Sequence, residues 1–156
     1  MEKNVKEVIK KIYIEAKKNK CNIIIPEDVC VSNSFDGGGI NKKTDSVNES
    51  EMILDIGQNT IEKIKDIIEN SNTVLWNGPA GYFENINFSK GTLAIAEKIS
   101  DNTDKKSMVS VLGGGDTISA INLSNQKLTF SHLSTAGGAF LEFLEGKDLP
   151  GLNVLK

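Results

Sequence analysis

The sequence predicts an α/β fold: a three-layer, Rossmann-like parallel sheet with helices on both faces. Three observations carry this. Short apolar runs alternate with helix-like patterns along the whole chain, the layout of βαβ units. Three of those runs end in glycine-bearing turns: Val74-Leu75-Trp76 before Asn77-Gly78-Pro79, Met108 to Leu112 before Gly113-Gly114-Gly115-Asp116, and Phe130 to Leu133 before Ser134-Thr135-Ala136-Gly137-Gly138. A helical pattern follows each turn, which places free N–H groups at one edge of a sheet and suits a ligand carrying phosphates.

The elements follow in order. Val5, Val8, Ile9, Ile12 and Ala16 form one apolar face, predicting a helix from about Val5 to Lys18. Its lysines (Lys3, Lys6, Lys10, Lys11, Lys17, Lys18, and Lys20 beyond) are interleaved with acids, so they read as a solvated face. Cys21 to Ile25 reads as a short buried strand closed by Pro26, which cannot continue a central ladder. Val29-Cys30-Val31 is a second short strand. Phe35 to Ser50, with Gly37-Gly38-Gly39, has no periodicity and reads as a surface loop or short hairpin.

Met52 to Ile56 is extended. Asn59 with Glu62 three residues on has the form of a capping box, opening a helix that buries Ile61, Ile64 and Ile68. After the strand at Val74 come a helix through Leu93, Ala96 and Ile99, a short one over Thr117 to Leu123, and one over Gly138 to Leu144. Gly146 stops the last at a C-cap position, and a short tail follows Pro150-Gly151.

Length and composition bound the function. At 156 residues the chain supports one domain with a real core. At a net charge of −3, electrostatics alone does not predict nucleic-acid binding, and a bound polyanion needs local N–H groups or a metal to offset its charge; no nucleic-acid partner is expected. No apolar run approaches the roughly 18 residues of a membrane span, and the charged N-terminus is not a signal peptide. Cys21 and Cys30 make no disulfide framework and read as reduced core thiols, which predicts a cytoplasmic home.

The glycine turns carry the chemistry. In Gly113-Gly114-Gly115-Asp116-Thr117, three missing Cβ atoms let a bulky ligand approach the main chain. Asp116 either caps the following helix or faces a magnesium ion shared with phosphates. The Ser134–Ala139 turn repeats the arrangement one unit later, with the helix dipole pointing outward. Around Trp76–Glu84, Pro79 stiffens the turn. The aromatics either wall a pocket or fill the core, and Glu84 is either a ribose acceptor or a surface acid. His132, the only histidine, lies in a strand and reads as structural. No nucleophile–base pair or Cys/His metal cluster has a recognisable spacing.

Several motifs in order resemble phosphoglycerate kinases. They are Pro26 to Val31, Leu54-Asp55-Ile56-Gly57, Trp76-Asn77-Gly78-Pro79 with Gly81, Phe83 and Glu84, Gly113 to Thr117, and Ser131-His132-Leu133-Ser134-Thr135 through Leu149-Pro150-Gly151. The resemblance covers nearly the whole chain, most weakly over residues 1–20 and 36–51. It implies phosphoryl transfer between 1,3-bisphosphoglycerate with Mg-ADP and 3-phosphoglycerate with Mg-ATP, by enzymes of two Rossmann-like domains. Residues 1–156 would be a partial C-terminal nucleotide-binding domain, incomplete relative to the family's. By resemblance, Asn77 and Pro79 line the nucleotide pocket and Glu84 bonds the ribose. Gly113, Gly114, Gly115 and Thr117 contact phosphates, Asp116 engages Mg2+, and Gly137 and Gly138 offer N–H groups to the migrating phosphoryl.

The departures are a missing Gly-Gly-Ala-Lys-Val segment with its lysine, a missing triose-acid domain with its arginine, Gln58 in place of proline, and Ala136 in place of a glycine. They predict a C-terminal portion inactive alone. The alternatives are a non-catalytic Mg-nucleotide module and a half that needs a complementing chain. The missing strands would also expose a sheet edge.

Overall fold

The computed structural model describes residues 5–155. Helix α1 (Val5–Lys18) forms where its periodicity places it, but none of its residues is buried. Val8, Ile9 and Ile12 stay about half exposed. Lys3, counted with its basic face, lies outside the described residues. The run Cys21 to Ile25 is not a strand; it has no regular structure, and Ile25 is 61% exposed. A strand needs a ladder partner to satisfy its backbone and bury its side chains, and no described strand pairs with this run. Cys21 is accordingly exposed rather than in a core.

Two three-stranded sheets follow. The first is antiparallel, in the order β2-β1-β3, from β1 (Asp28–Ser32), β2 (Ile40–Lys43) and β3 (Met52–Ile56). The segment from Phe35 onward therefore contains the return strand of a hairpin. The second is parallel, in the order β4-β5-β6, from β4 (Thr73–Asn77), β5 (Val109–Gly113) and β6 (His132–Ser134). The parallel sheet is the expected one; the antiparallel sheet is an addition to it.

Helix α2 (Gln58–Glu69) joins the two sheets, α3 (Lys90–Lys106) connects β4 to β5, and α4 (Gly115–Leu123) connects β5 to β6. Alternation along the strands puts Val74, Trp76 and Leu112 on one face. There they pack with Ile68 of α2, Ile95, Ala96 and Ile99 of α3, Met108, and Ile121 of α4 to form the core. The opposite face meets α5 (Gly138–Leu144) at its upper end, where Phe140 lies against Gly113. Lower on that face, Leu75 and Val109 remain 46% and 49% exposed. A last turn of helix, α6 (Pro150–Asn153), occupies what reads in the sequence as a plain tail.

The N-terminus of α2 differs from the expected capping box. The N-cap is Gly57, and Asn59 lies inside the helix. The cap comes from β1: Asp28 Oδ2 accepts from the Asn59 N–H at 2.9 Å and Oδ1 from the Thr60 N–H at 2.8 Å. The Thr60 hydroxyl completes this buried knot, donating to Asp28 Oδ1 at 2.7 Å. A carboxylate at a helix N-terminus is doubly favourable, through the amides and through the dipole. Gln58 takes the first helical position, where proline's missing N–H would also be tolerated, and it bonds Glu62 at 2.9 Å.

Candidate nucleotide site

Parallel register builds the site. Asn77 pairs with Gly113, and Gly113 with Ser134, so three neighbouring strands end level and release their turns at one edge. The turns are bonded to each other. The Gly114 N–H donates to the Ser134 carbonyl at 3.2 Å, and the Gly78 N–H donates to the Thr117 hydroxyl at 2.8 Å.

Glycine is required at the junction. Gly114 sits at φ +95°, where an L side chain is strained. A Cβ there would lie 2.6 Å from Asn77 Oδ1, and a Cβ on Gly137 would lie 3.2 Å from Gly114 Cα. Gly115 and Gly138 differ: a Cβ on either meets nothing within 4 Å, so their bare backbones face open space. Neither Ala136, Gly137 nor Gly138 has positive φ. The alanine at position 136 thus fits its bend without strain.

Helix α4 starts directly from this junction. Its N-cap is Gly114, with no side-chain cap, and its first backbone bond runs from Ile118 N–H to Gly114 O at 3.2 Å. The amides of Gly115, Asp116 and Thr117 precede that bond and are the orphan donors of a helix start. Asp116 is therefore not an N-cap; it stands in the first turn, exposed. Thr117 is fully buried, with its hydroxyl committed to Gly78. Its side chain ties two turns together, and only its amide belongs to the orphan set.

The turn after β4 is built the opposite way. Its N–H groups point into the scaffold: Gly78 to Thr117, Ala80 and Gly81 to the Thr92 hydroxyl at 3.0 and 3.3 Å, and Tyr82 to the Leu54 carbonyl at 2.7 Å. Pro79 has none to offer. With its amides consumed, this turn presents an apolar wall rather than an anion cradle. The wall bounds a cavity of about 360 Å³ lined by Phe35, Ile53, Leu54, Pro79, Gly81 and Tyr82, among others. The Phe35 and Tyr82 rings meet at 5.0 Å between centroids, tilted by 57°. Trp76 packs against the core instead, and Glu84 is exposed beside the turn.

Sequence reasoning missed Phe35, Ile53 and Leu54 as cavity walls. Phe35 lies in a stretch with no periodicity; the bonds from Asn85 Nδ2 to Phe35 O (2.7 Å) and Asn87 Nδ2 to Gly37 O (3.2 Å), with the Phe35–Tyr82 ring contact, bring that loop to the turn. Asp55 and Thr92, both buried beneath the turn, were equally invisible as parts of the site. His132 is exposed on β6.

The described residues hold no group of three or more His, Cys, Asp or Glu able to bind a metal unaided. One exposed carboxylate beside orphan amides suits Mg2+ that arrives with phosphates, since this ion keeps most ligands from phosphate and water. No helix among the described residues is long and apolar enough to cross a membrane.

Comparison with known proteins gives the family and the fold. A family profile described as phosphoglycerate kinase matches residues 1–147. The phosphoglycerate kinase of Chelativorans sp. (strain BNC1) is 43% identical, the match covering 99% of this chain and 39% of the relative. That of Methylorubrum extorquens (strain PA1) is 44% identical with the same coverage. The solved phosphoglycerate kinase from Coxiella burnetii superposes with a TM-score of 0.84 at 37% identity, covering 99% of this chain and 40% of that one. The enzyme from Pyrococcus horikoshii OT3 gives 0.73 at 32% identity, with 98% and 39% covered. The chain thus spans about two-fifths of the length of the relatives it matches. With the motifs, the fold and a match across 99% of its length in agreement, this chain belongs to the phosphoglycerate kinase family.

Proposed function

We propose that residues 1–156 form the Mg-nucleotide face of a phosphoglycerate kinase, the partial C-terminal nucleotide domain that the motifs suggest. The carrying observation is the junction itself: three turns at one sheet edge, with orphan amides and Asp116 on one side and an apolar cavity on the other. A nucleotide has the same polarity, a flat apolar base at one end and anionic phosphates at the other. The base sits against Pro79, Tyr82 and Phe35, and Glu84 accepts from the ribose hydroxyls. Asn77 lies between the two regions. The amides of Gly115, Asp116 and Thr117 bind phosphates, Gly113 and Gly114 form the bend that presents them, and Asp116 holds the magnesium the phosphates share. Thr117 braces the arrangement. The Gly137 and Gly138 turn faces the transferring group, where fixed donors stabilise charge on the equatorial oxygens.

The parent reaction moves a phosphoryl group between 1,3-bisphosphoglycerate with ADP and 3-phosphoglycerate with ATP. The resemblance assigns the triose acid to a domain with no counterpart in these 156 residues. Phosphoryl transfer depends on positioning both partners, so this chain alone binds nucleotide but does not turn over. A cytoplasmic, glycolytic setting goes with that activity. The uncovered surfaces of α1 and Cys21 to Ile25 favour a second reading in which a complementing chain completes the domain.

Titration of the purified chain with Mg-ADP, followed through the fluorescence of Trp76, tests the proposal. Saturable quenching that Asp116→Ala abolishes is the expected result. No response at millimolar Mg-ADP, or a response unchanged by Asp116→Ala, overturns it. A coupled ATP-consumption assay approaching the rate of an intact kinase would refute the claim of inactivity.

A further inference from the structure

We infer that Thr92, buried in the first turn of α3, is a positioning residue that fixes the apolar wall of the nucleotide cavity. The inference rests on the nucleotide reading above and extends it to a residue outside the cavity. Thr92 has no exposed surface, yet its hydroxyl accepts from the Ala80 N–H at 3.0 Å and the Gly81 N–H at 3.3 Å. A hydroxyl has two acceptor lone pairs, and this turn occupies both. Without Thr92, two half-buried amides in the middle of the wall lose their partners, while Gly78 and Tyr82 keep theirs.

The hydroxyl is itself held in place. Asp55 of β3, 2% exposed, accepts from the Gly91 N–H at 2.9 Å and so pins the start of α3 next to Thr92. Gly91 and Gly81 both lie against this carboxylate. A Cβ on either would come within 2.5 Å of Asp55 Oδ1. The contacts run from β3 through Asp55, Gly91 and Thr92 to Ala80 and Gly81. The Leu54-Asp55-Ile56-Gly57 motif, which has no contact with phosphates in the reading above, acquires a role through this path.

The test uses the purified chain with Thr92→Val, which keeps the shape and loses the hydroxyl, and Thr92→Ser, which restores it. Thr60→Val, altering a threonine that is equally buried but bonded to Asp28, controls for general loss of stability. Amide hydrogen exchange at Ala80 and Gly81 is the readout that does not depend on ligand. Thr92→Val is expected to speed exchange at these two amides about tenfold, and to weaken Mg-ADP binding by about tenfold, as for one or two lost hydrogen bonds. Thr92→Ser restores both, and Thr60→Val lowers the melting temperature without the local change. Unchanged exchange at Ala80 and Gly81 in Thr92→Val overturns the inference. So does a rise shared equally by Gly78 and Tyr82, or altered exchange with unaltered Mg-ADP affinity. Absence of Mg-ADP binding by the unsubstituted chain is a different failure, that of the nucleotide reading, and the exchange rates still decide whether Thr92 holds the wall.

Discussion

The carboxyl edge of the parallel sheet and the amino-terminal arm show opposite fates for equally patterned sequence. At the edge, the turn after β4 is held by buried hydroxyls beneath it, Thr117 under Gly78 and Thr92 under Ala80 and Gly81, and the buried Asp55 carboxylate pins the start of α3 at Gly91. In the arm, α1 and Cys21 to Ile25 carry the apolar spacing of core elements yet bury nothing. Periodicity within a segment suffices to form a helix, whereas burial depends on what lies opposite. Open flanks such as Leu75, Val109 and the arm itself are association-prone surfaces.

The contrast is sharpest in a pair of truncations. Ile99→Ala, at a fully buried position in the core, should cost about 3 kcal/mol in urea melts. Ile12→Ala on α1, where the side chain is 53% exposed, should change stability by less than about 0.5 kcal/mol. A large loss from Ile12→Ala would mean that the arm is docked and the comparison fails.

Asp28 gives a smaller effect with a pH signature. Burial pushes its carboxyl up, but the Thr60 hydroxyl and the Asn59 and Thr60 amides outweigh this and hold it below the ordinary 3.8. A lowered carboxyl contributes stability that is complete above pH 3.8 and is lost as pH falls through its folded value. Asp55 has the opposite sign: burial raises it, against the amides of Gly91, Ile56 and Lys90, so its effect favours the fold as pH drops toward 3.8. Asp28→Asn should lower stability by about 2 kcal/mol at pH 7. Its urea midpoint should also fall less steeply than that of the unsubstituted chain between pH 5 and pH 3. Parallel acid limbs in the two proteins would contradict the assignment of Asp28.

Gly115→Ala separates folding from binding. Position 115 is helical, open and without positive φ, so alanine should raise stability by roughly 0.5–1 kcal/mol through helix propensity. The same methyl should weaken Mg-ADP binding by obstructing the approach of phosphate. Stability and affinity moving in the same direction would argue that glycine at 115 serves the backbone rather than the ligand.

Much of this was legible in the sequence. The bounds of α1, the extended Met52 to Ile56, the three strand-to-turn units and the stop at Gly146, which has φ +78°, all follow from spacing and turn chemistry. So does the glycine-rich edge. What escaped depends on residues distant in the chain. Asp28 caps a helix 31 residues away, and Thr92 holds a turn 12 residues before it. Phe35 reaches the cavity through contacts of a loop without pattern, bonded to Asn85 and Asn87 and packed on Tyr82. Val29 to Val31 reads as strand, but nothing in it reveals an antiparallel sheet rather than another parallel ladder. Cys21 to Ile25 fails for the converse reason, having the composition of a strand and, among the described residues, no strand to pair with.

The open space around Gly138 bears on the history of such chains. Its φ is not positive, and a Cβ there would meet nothing within 4 Å. Folding therefore places little demand on that position, and under the proposed function an incoming phosphoryl group is what would penalise a replacement. In a lineage that ceased to perform the chemistry, Gly138 would be among the earliest letters to drift, long before Gly114 or Gly81, which the architecture itself keeps fixed.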